Sequence, residues 1–231
     1  MIVSTRLFRE PVSGFTHLAG ALLAIVALAI LCVQAAEHGD IWQQVSFPIF
    51  GICMLLMFAS SAVYHLVHGS EQRIKRLKRL DHMAIFLMIA GTYTPICLVP
   101  LNGPLGWWLF AGVWALAAAG IGLKIFWIHA PRWLSTLIYL AMGWLIVLAI
   151  NPAMERIPAS VLHWLVAGGL FYTIGAIIYA CKWPNPWPRF IGFHEIWHLF
   201  VMAGVFCHFW AIAYGLADFD VAAINAMLTT G

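Results

Sequence analysis

Six stretches of this chain, residues 11–36, 41–70, 82–123, 133–154, 157–181 and 196–217, contain no Asp, Glu, Lys or Arg. A helix needs roughly 20 apolar residues to cross the hydrocarbon core of a bilayer, and every one of these runs is long enough. With 63% of its residues hydrophobic and 9% charged, the chain departs far from the roughly 25% charged residues of a soluble domain. Disorder is excluded on the same ground, because it needs low hydrophobicity and high net charge. The run 82–123 is about twice the length of a span, and Pro100-Leu101-Asn102-Gly103-Pro104 interrupts it with a turn signal. It therefore reads as two helices joined by a tight hairpin. The pattern predicts an all-α membrane protein of seven transmembrane helices, near residues 14–36, 45–67, 82–100, 105–126, 133–151, 160–181 and 192–216. They form a single seven-helix transmembrane domain over residues 1–231. The first run lacks an A-x-A-like cleavage site and is too long for a leader, so it reads as a span.

Orientation follows from the cations. With the N-terminus inside, the inner segments hold Arg6, Arg9, Arg73, Lys75, Arg76, Lys78, Arg79, Lys124, Arg132, Lys182 and Arg189, and the outer side holds only Arg156. Cytoplasmic loops are the ones enriched in Lys and Arg, so the N-terminus is expected in the cytoplasm and the C-terminus outside. The location implied is a membrane whose inner face is the cytoplasm. Residues 70–80, with Ile74, Leu77 and Leu80 among five cations, are either a topology determinant or an amphipathic surface segment against anionic headgroups. The five cysteines stand singly in apolar stretches and show no C-x-x-C spacing, so neither a redox motif nor a disulfide framework is expected.

Ionisable residues within or near spans are functional candidates, and here they gather at one depth. His65 lies near the inner end of helix 2, Asp81 at the inner start of helix 3, and His194 and His198 at the inner start of helix 7. Glu10 and His17 flank the inner start of helix 1. His194 and His198, at i and i+4, project from one helix face, a spacing that suits two ligands of one metal. The segment His194-Glu195-Ile196-Trp197-His198 also satisfies H-E-x-x-H, in which a metalloprotease would use the glutamate as base. A downstream third ligand is out of reach. Asp218 lies about 30 Å and His208 about 15 Å along a straight helix from His198. His65 is at the right depth, and His65, His194 and His198 would give a three-histidine zinc (Zn2+) site with a fourth position open to water. Asp81 would hold that water, and Ser61, one turn before His65, would support it. Glu195 reads better as a cap on helix 7 than as a base. His17 either bonds within the cluster or faces headgroups. His82 reads as interfacial, His68 as a loop residue and His208 as a structural partner of a neighbouring helix. His38, His129 and His163 take no role.

Ser61-x3-His65, Asp81 and His194-x3-His198 resemble the signature of the progestin and adipoQ receptor family. Glu10-x2-Ser13-x3-His17 resembles that family's first motif, with Ser13 where Asn is usual, a departure that weakens a polar role there. Size, seven spans and the segment Trp183 to Pro188 look like its bacterial branch, the hemolysin III proteins. The resemblance covers nearly the whole chain. It implies zinc on His65, His194 and His198, with Asp81 near the metal-bound water and Ser61 beside it. It also implies kinship with metal-dependent membrane hydrolases that include alkaline ceramidases, and bacterial roles described as hemolysin or as regulator of membrane state.

Three functions are consistent with these residues. The first is a zinc-dependent hydrolase of a lipid amide or ester that influences membrane lipid homeostasis, with Asp81 as base or water-orienting group and Ser61 supporting it. The second is a non-catalytic sensor or regulator of membrane state with a structural zinc. The third, a cytolytic (hemolysin) protein, comes from the family resemblance alone, and an H-E-x-x-H protease is the weakest alternative. Membrane lipids are the expected partners, one of them a possible substrate. Nothing points to nucleic acid.

Overall fold

The computed structural model describes residues 7–37, 39–187, 190–223 and 226, and Arg6, His38, Pro188 and Arg189 lie outside them. Among the described residues the chain forms α1 (Pro11–Glu37), α2 (Ile41–Leu66), α3 (Glu71–Leu98), α4 (Pro104–Phe126), α5 (Arg132–Gly143), α6 (Ile150–Arg156), α7 (Ala159–Cys181) and α8 (Phe193–Gly215). A 3₁₀ segment, Trp144–Ala149, joins α5 to α6, so these three make one span, Arg132–Arg156. Seven helices in all are long and apolar enough to cross a membrane. All-helical architecture is what a bilayer demands, because backbone N–H and C=O groups find no water there.

Local chemistry sets the helix ends. Asp40 caps α2 by accepting from the Trp42 N–H at 2.8 Å, while the Gln43 side chain accepts from the Asp40 N–H at 3.2 Å. The hairpin between α3 and α4 turns at Gly103, whose φ of 134° is open to glycine and strained for other residues. Pro104 then starts α4, where its missing N–H costs nothing. Helix α3 differs from the sequence expectation. It begins at Glu71 rather than 82, with Ser70 as its cap and a Glu71–Lys75 ion pair of 2.6 Å along its first turns. The cationic segment 70–80 is thus a continuous extension of the third span. Charge marks where hydrocarbon begins, and a helix runs on past that line into water.

The fifth span departs from a regular helix for an identifiable reason. Pro152 has no N–H for the carbonyl four residues back and crowds it, and the chain passes through a 3₁₀ stretch just before. Tyr93 of α3 satisfies the groups this leaves over. Its hydroxyl donates to the Gly143 carbonyl at 2.7 Å and accepts from the Ile146 N–H at 2.9 Å.

Helices α1 to α4 pack as sequential neighbours, α7 packs along α8, and α8 returns against α1. Small residues on α1 (Ala21, Ala24, Ala27) are buried against α2, allowing the close backbone approach on which helix association in lipid depends. The span Arg132–Arg156 is held only loosely by its neighbours. Beside it a cavity of about 550 Å³ extends between α3, α5, α7 and α8. All cations of the described residues except Arg156 belong to one end of the bundle, the end at which α2 finishes and α3 and α8 begin. At the other end, fully buried Gln43 donates to the carbonyls of Phe219 at 2.8 Å and Leu216 at 3.4 Å, tying α2 to the segment beyond α8. Replacing Gln43 with Leu takes the side-chain donor from the Phe219 carbonyl and the acceptor from the Asp40 N–H, and thermal unfolding of the purified protein should register a loss of about 1–3 kcal/mol.

Candidate metal centre

The last turn of α2 and the first two turns of α8 bring three imidazoles to one point. His65 and His198 are 1% and 2% exposed, His194 is partly buried, and one ring nitrogen from each lies within 4.8 Å of the other two. Ring centroids are 5.0 Å apart for His65 and His194, 4.9 Å for His65 and His198, and 4.7 Å for His194 and His198. The rings thus stand as a nearly equilateral triangle. The Nε2 atoms of His65 and His194 are 3.3 Å apart. With metal–nitrogen bonds of 2.0–2.1 Å, tetrahedral geometry sets neighbouring ligand nitrogens about 3.3–3.4 Å apart. The cluster fits such an ion in donor type, number and spacing.

The outer nitrogens of two rings are already committed, which leaves the inner ones free to ligate. His65 Nδ1 donates to Glu10 Oε2, a carboxylate–imidazole pair of the kind that orients metal ligands and raises their basicity. Burial raises the Glu10 carboxyl pKa, but its bond to His65 and the charges of His65, Arg9 and His194 outweigh this and hold it below its ordinary value. Glu10 is therefore an anion at neutral pH. His198 Nδ1 lies 3.2 Å from the carbonyl oxygen of Ser13 and donates to it. Both supports come from the segment entering α1, docked by the Glu10 N–H on the His65 carbonyl at 2.9 Å. Gly14 makes this approach feasible, since a Cβ there would collide with the Leu66 side chain.

Glu195, the acidic residue of the H-E-x-x-H segment, is occupied elsewhere. One oxygen accepts from the Gly192 N–H at 2.8 Å and caps α8, and the other accepts from the Ser13 hydroxyl at 2.7 Å. The preference for a cap over a base agrees with this geometry, and a zincin-like role for Glu195 loses its support. Ser13, expected to carry little polar weight, instead serves the site through both its hydroxyl and its carbonyl. His17, left open by its position in sequence, is 3% exposed and stacks on His198 with centroids 3.7 Å apart. Both of its ring nitrogens are buried without a hydrogen-bond partner. Ser13 and His17 are one turn apart on α1 and Glu10 immediately precedes that helix, and the Glu10-x2-Ser13-x3-His17 spacing was the available signal for them.

Asp81 and Ser61 lie beside the triad. The Ser61 hydroxyl and the His65 ring are polar neighbours of the Asp81 carboxyl. Both residues border the cavity, as do His17, His194 and His198. His208 also borders the cavity but stands apart from the triad. It donates from Nε2 to the Leu165 carbonyl at 3.1 Å and packs edge-on to Tyr172, the structural pairing expected of it. His68 lies in the loop after α2 and His129 in the loop before α5. Tyr139 donates to the His82 carbonyl at 3.1 Å, and the His82 ring faces the same cavity. All five cysteines are free.

Residues 5–209 match the family described as Haemolysin-III related. The chain is 41% identical to hemolysin-3 of Bacillus cereus, over 89% of this chain and 90% of that protein. It is 40% identical to the hemolysin-3 homolog of Bacillus subtilis strain 168, over 89% and 93% of the two chains. A more distant relative is the human monocyte to macrophage differentiation factor, 28% identical over 89% of this chain and 83% of that one.

The support given by Glu10 is open to direct measurement. Glu10→Gln keeps the shape of the side chain but removes the charge that faces His65. Competition with a chromophoric chelator should show metal affinity falling about 10- to 100-fold, with the helical content unchanged.

Proposed function

The chain belongs to the haemolysin-III related family, and we propose that in it the three-imidazole centre holds zinc and serves the hydrolysis of a lipid amide or ester. As a multi-pass protein of the bacterial inner membrane, it meets such substrates from within the bilayer. One observation carries the reading. His194, His198, Ser61 and Asp81 share a wall of a cavity whose remaining lining, including Met88, Ile89, Ile146 and Val201, is largely apolar. An acyl chain fits such a space, and its polar end then falls among the ionisable groups.

His65, His194 and His198 would hold the metal, since three imidazoles with one position left over are the donor set of catalytic zinc. Zinc bound there would polarise a scissile carbonyl and bring the pKa of water to about 7. Asp81 takes the proton from the attacking water at its carboxylate and returns it to the departing amine or alcohol. The Ser61 hydroxyl, bonded toward Asp81, fixes which oxygen faces the substrate. Glu10 and the Ser13 carbonyl hold two of the imidazoles in the ligating tautomer.

A second reading is favoured by where the ligands sit. His65 ends α2 while His194 and His198 begin α8, so an ion there would staple two helices that otherwise touch little. A cytolytic role, suggested by the names of the bacillary relatives, is less well supported. The connections at the end away from the triad, residues 38–40, 99–103 and 157–158, are too short to form a lytic element.

Metal analysis by plasma mass spectrometry should find near-stoichiometric zinc in the wild-type protein and none in His65→Ala. In Asp81→Ala zinc should remain while lipid amide or ester hydrolysis is lost, and unchanged turnover would remove Asp81 from the mechanism. Loss of thermal stability on chelation, with no turnover of any lipid class, would favour the staple. We also place the triad at the cytoplasmic end, on the ground that Lys and Arg concentrate there. Alkaline phosphatase fused after Gly231 should then be active, and an inactive fusion with a fluorescent cytoplasmic counterpart would invert the topology.

A further inference from the structure

Lysines at the ends of spans ordinarily run their stems along apolar surface and place the ammonium among headgroups and water. Lys124, in the last turn of α4, does the reverse. It is 1% exposed, and its Nζ turns inward to donate to the Ser135 hydroxyl of α5. A hydroxyl satisfies one hydrogen bond but supplies no countercharge. Among the described residues no carboxylate pairs with Lys124, and its ionisable neighbours, Lys78 and His82, carry either the same charge or none. Holding an ammonium out of water without a counterion is costly. Such a residue in a membrane span marks a place where an anion is expected.

The surroundings supply room for one. Lys124, Ser135, Lys78 and Arg132 all border the cavity, at the end where the triad also lies. Arg132 lies over the ring of Tyr179, its guanidinium 4.7 Å from the centroid, so its position is defined by packing. Asp81 is the single carboxylate among the residues that line this cavity, and it is engaged with Ser61 and His65. Three cations against one carboxylate leave the wall about two positive charges in surplus, which matches the −1.5 to −2 of a phosphate monoester. Beyond the cations the lining turns apolar at Ile85, Met88 and Ile89 on α3 and Leu140 on α5. An inorganic ion would leave that apolar extension empty, whereas an amphiphile fills both parts.

We propose that Lys124, with Lys78 and Arg132, forms a headgroup site for a phosphomonoester lipid, its acyl chain lying in the apolar cavity. Resting on the hydrolase reading for its consequence, this site makes the substrate a lipid whose phosphate is gripped at Lys124 while the acyl linkage is presented to the triad. The binding itself needs no turnover.

Native mass spectrometry of the purified full chain, titrated with dioctanoyl phosphatidic acid, dioctanoylglycerol or inorganic phosphate, tests the site. Phosphatidic acid should bind about tenfold or more tightly than dioctanoylglycerol, as expected of a charge-assisted contact, and more tightly than inorganic phosphate. Lys124→Met should abolish that preference while leaving dioctanoylglycerol binding in place, which also reports that the bundle is intact. Lys124→Arg should keep it, and so should His65→Ala, which removes the metal centre. Equal binding of the charged and neutral lipids overturns the site, as does a preference that survives in Lys124→Met. A preference lost in His65→Ala but kept in Lys124→Met would put the phosphate on the metal instead. Inorganic phosphate binding as tightly as the lipid would overturn the amphiphile. Selective binding with no hydrolysis of any lipid leaves the site standing and rejects only the hydrolase. Hydrolysis of neutral lipids with no phosphate preference does the opposite.

Discussion

Three imidazole nitrogens with lone pairs facing one another in a low-dielectric interior repel unless something positive stands between them. His65 and His198 are buried almost completely, and their outer nitrogens are spent on Glu10 and on the Ser13 carbonyl. Donating outward turns the inner nitrogens of His65 and His198 toward His194, whose Nε2 lies 3.3 Å from that of His65. A proton shared between two of the rings or a cation among all three relieves the repulsion, and the cluster has the donors to hold either. The entry segment of α1 docks on the end of α2, Gly14 leaves space for Leu66, and Glu195 folds back to cap α8. Each of these holds one of the three imidazoles at its angle.

The same constraint separates what the sequence discloses from what it hides. Spans were legible because charge cannot enter hydrocarbon cheaply. Gaps between Asp, Glu, Lys and Arg therefore recovered seven helices, and the Pro100–Pro104 turn divided the longest gap correctly. The start of α3 was not legible by that rule. A helix end is decided by a cap and by local ion pairs, here Ser70 and Glu71–Lys75, which lie in the charged region. The 3₁₀ stretch in the fifth span was equally hidden. Pro152 hints at it, but its tolerance depends on Tyr93, fifty residues upstream in sequence, reaching Gly143. His194 and His198 announced themselves by i, i+4 spacing, and His65 by depth. Ser13 did not, because half of its contribution is a backbone carbonyl that any residue would own. What selects position 13 is the approach of α1 to α8, a property of packing that no local pattern encodes.

The placement of Glu195 decides between chemistries that share a motif. In an H-E-x-x-H metalloprotease the glutamate must face the water beside the metal. Here Glu195 accepts from Gly192 and Ser13, so both oxygens point toward the helix start and α1. The acid nearest the triad's cavity side is Asp81, contributed by a different helix and hydrogen-bonded toward Ser61.

The triad joins α2 to α8, the carboxylate sits on α3, and the loosely held fifth span forms the far wall of the cavity. The candidate ligands belong to helices that pack closely, and the wall facing them approaches its neighbours less closely. That wall is nonetheless tied to them, by Arg132 over the Phe193 ring of α8 and by Tyr139 and Tyr93 across to α3. Lys124 bonding to Ser135 adds a hydrogen bond across the α4–α5 boundary, so the headgroup end of the cavity is closed by the same residue that carries its buried charge.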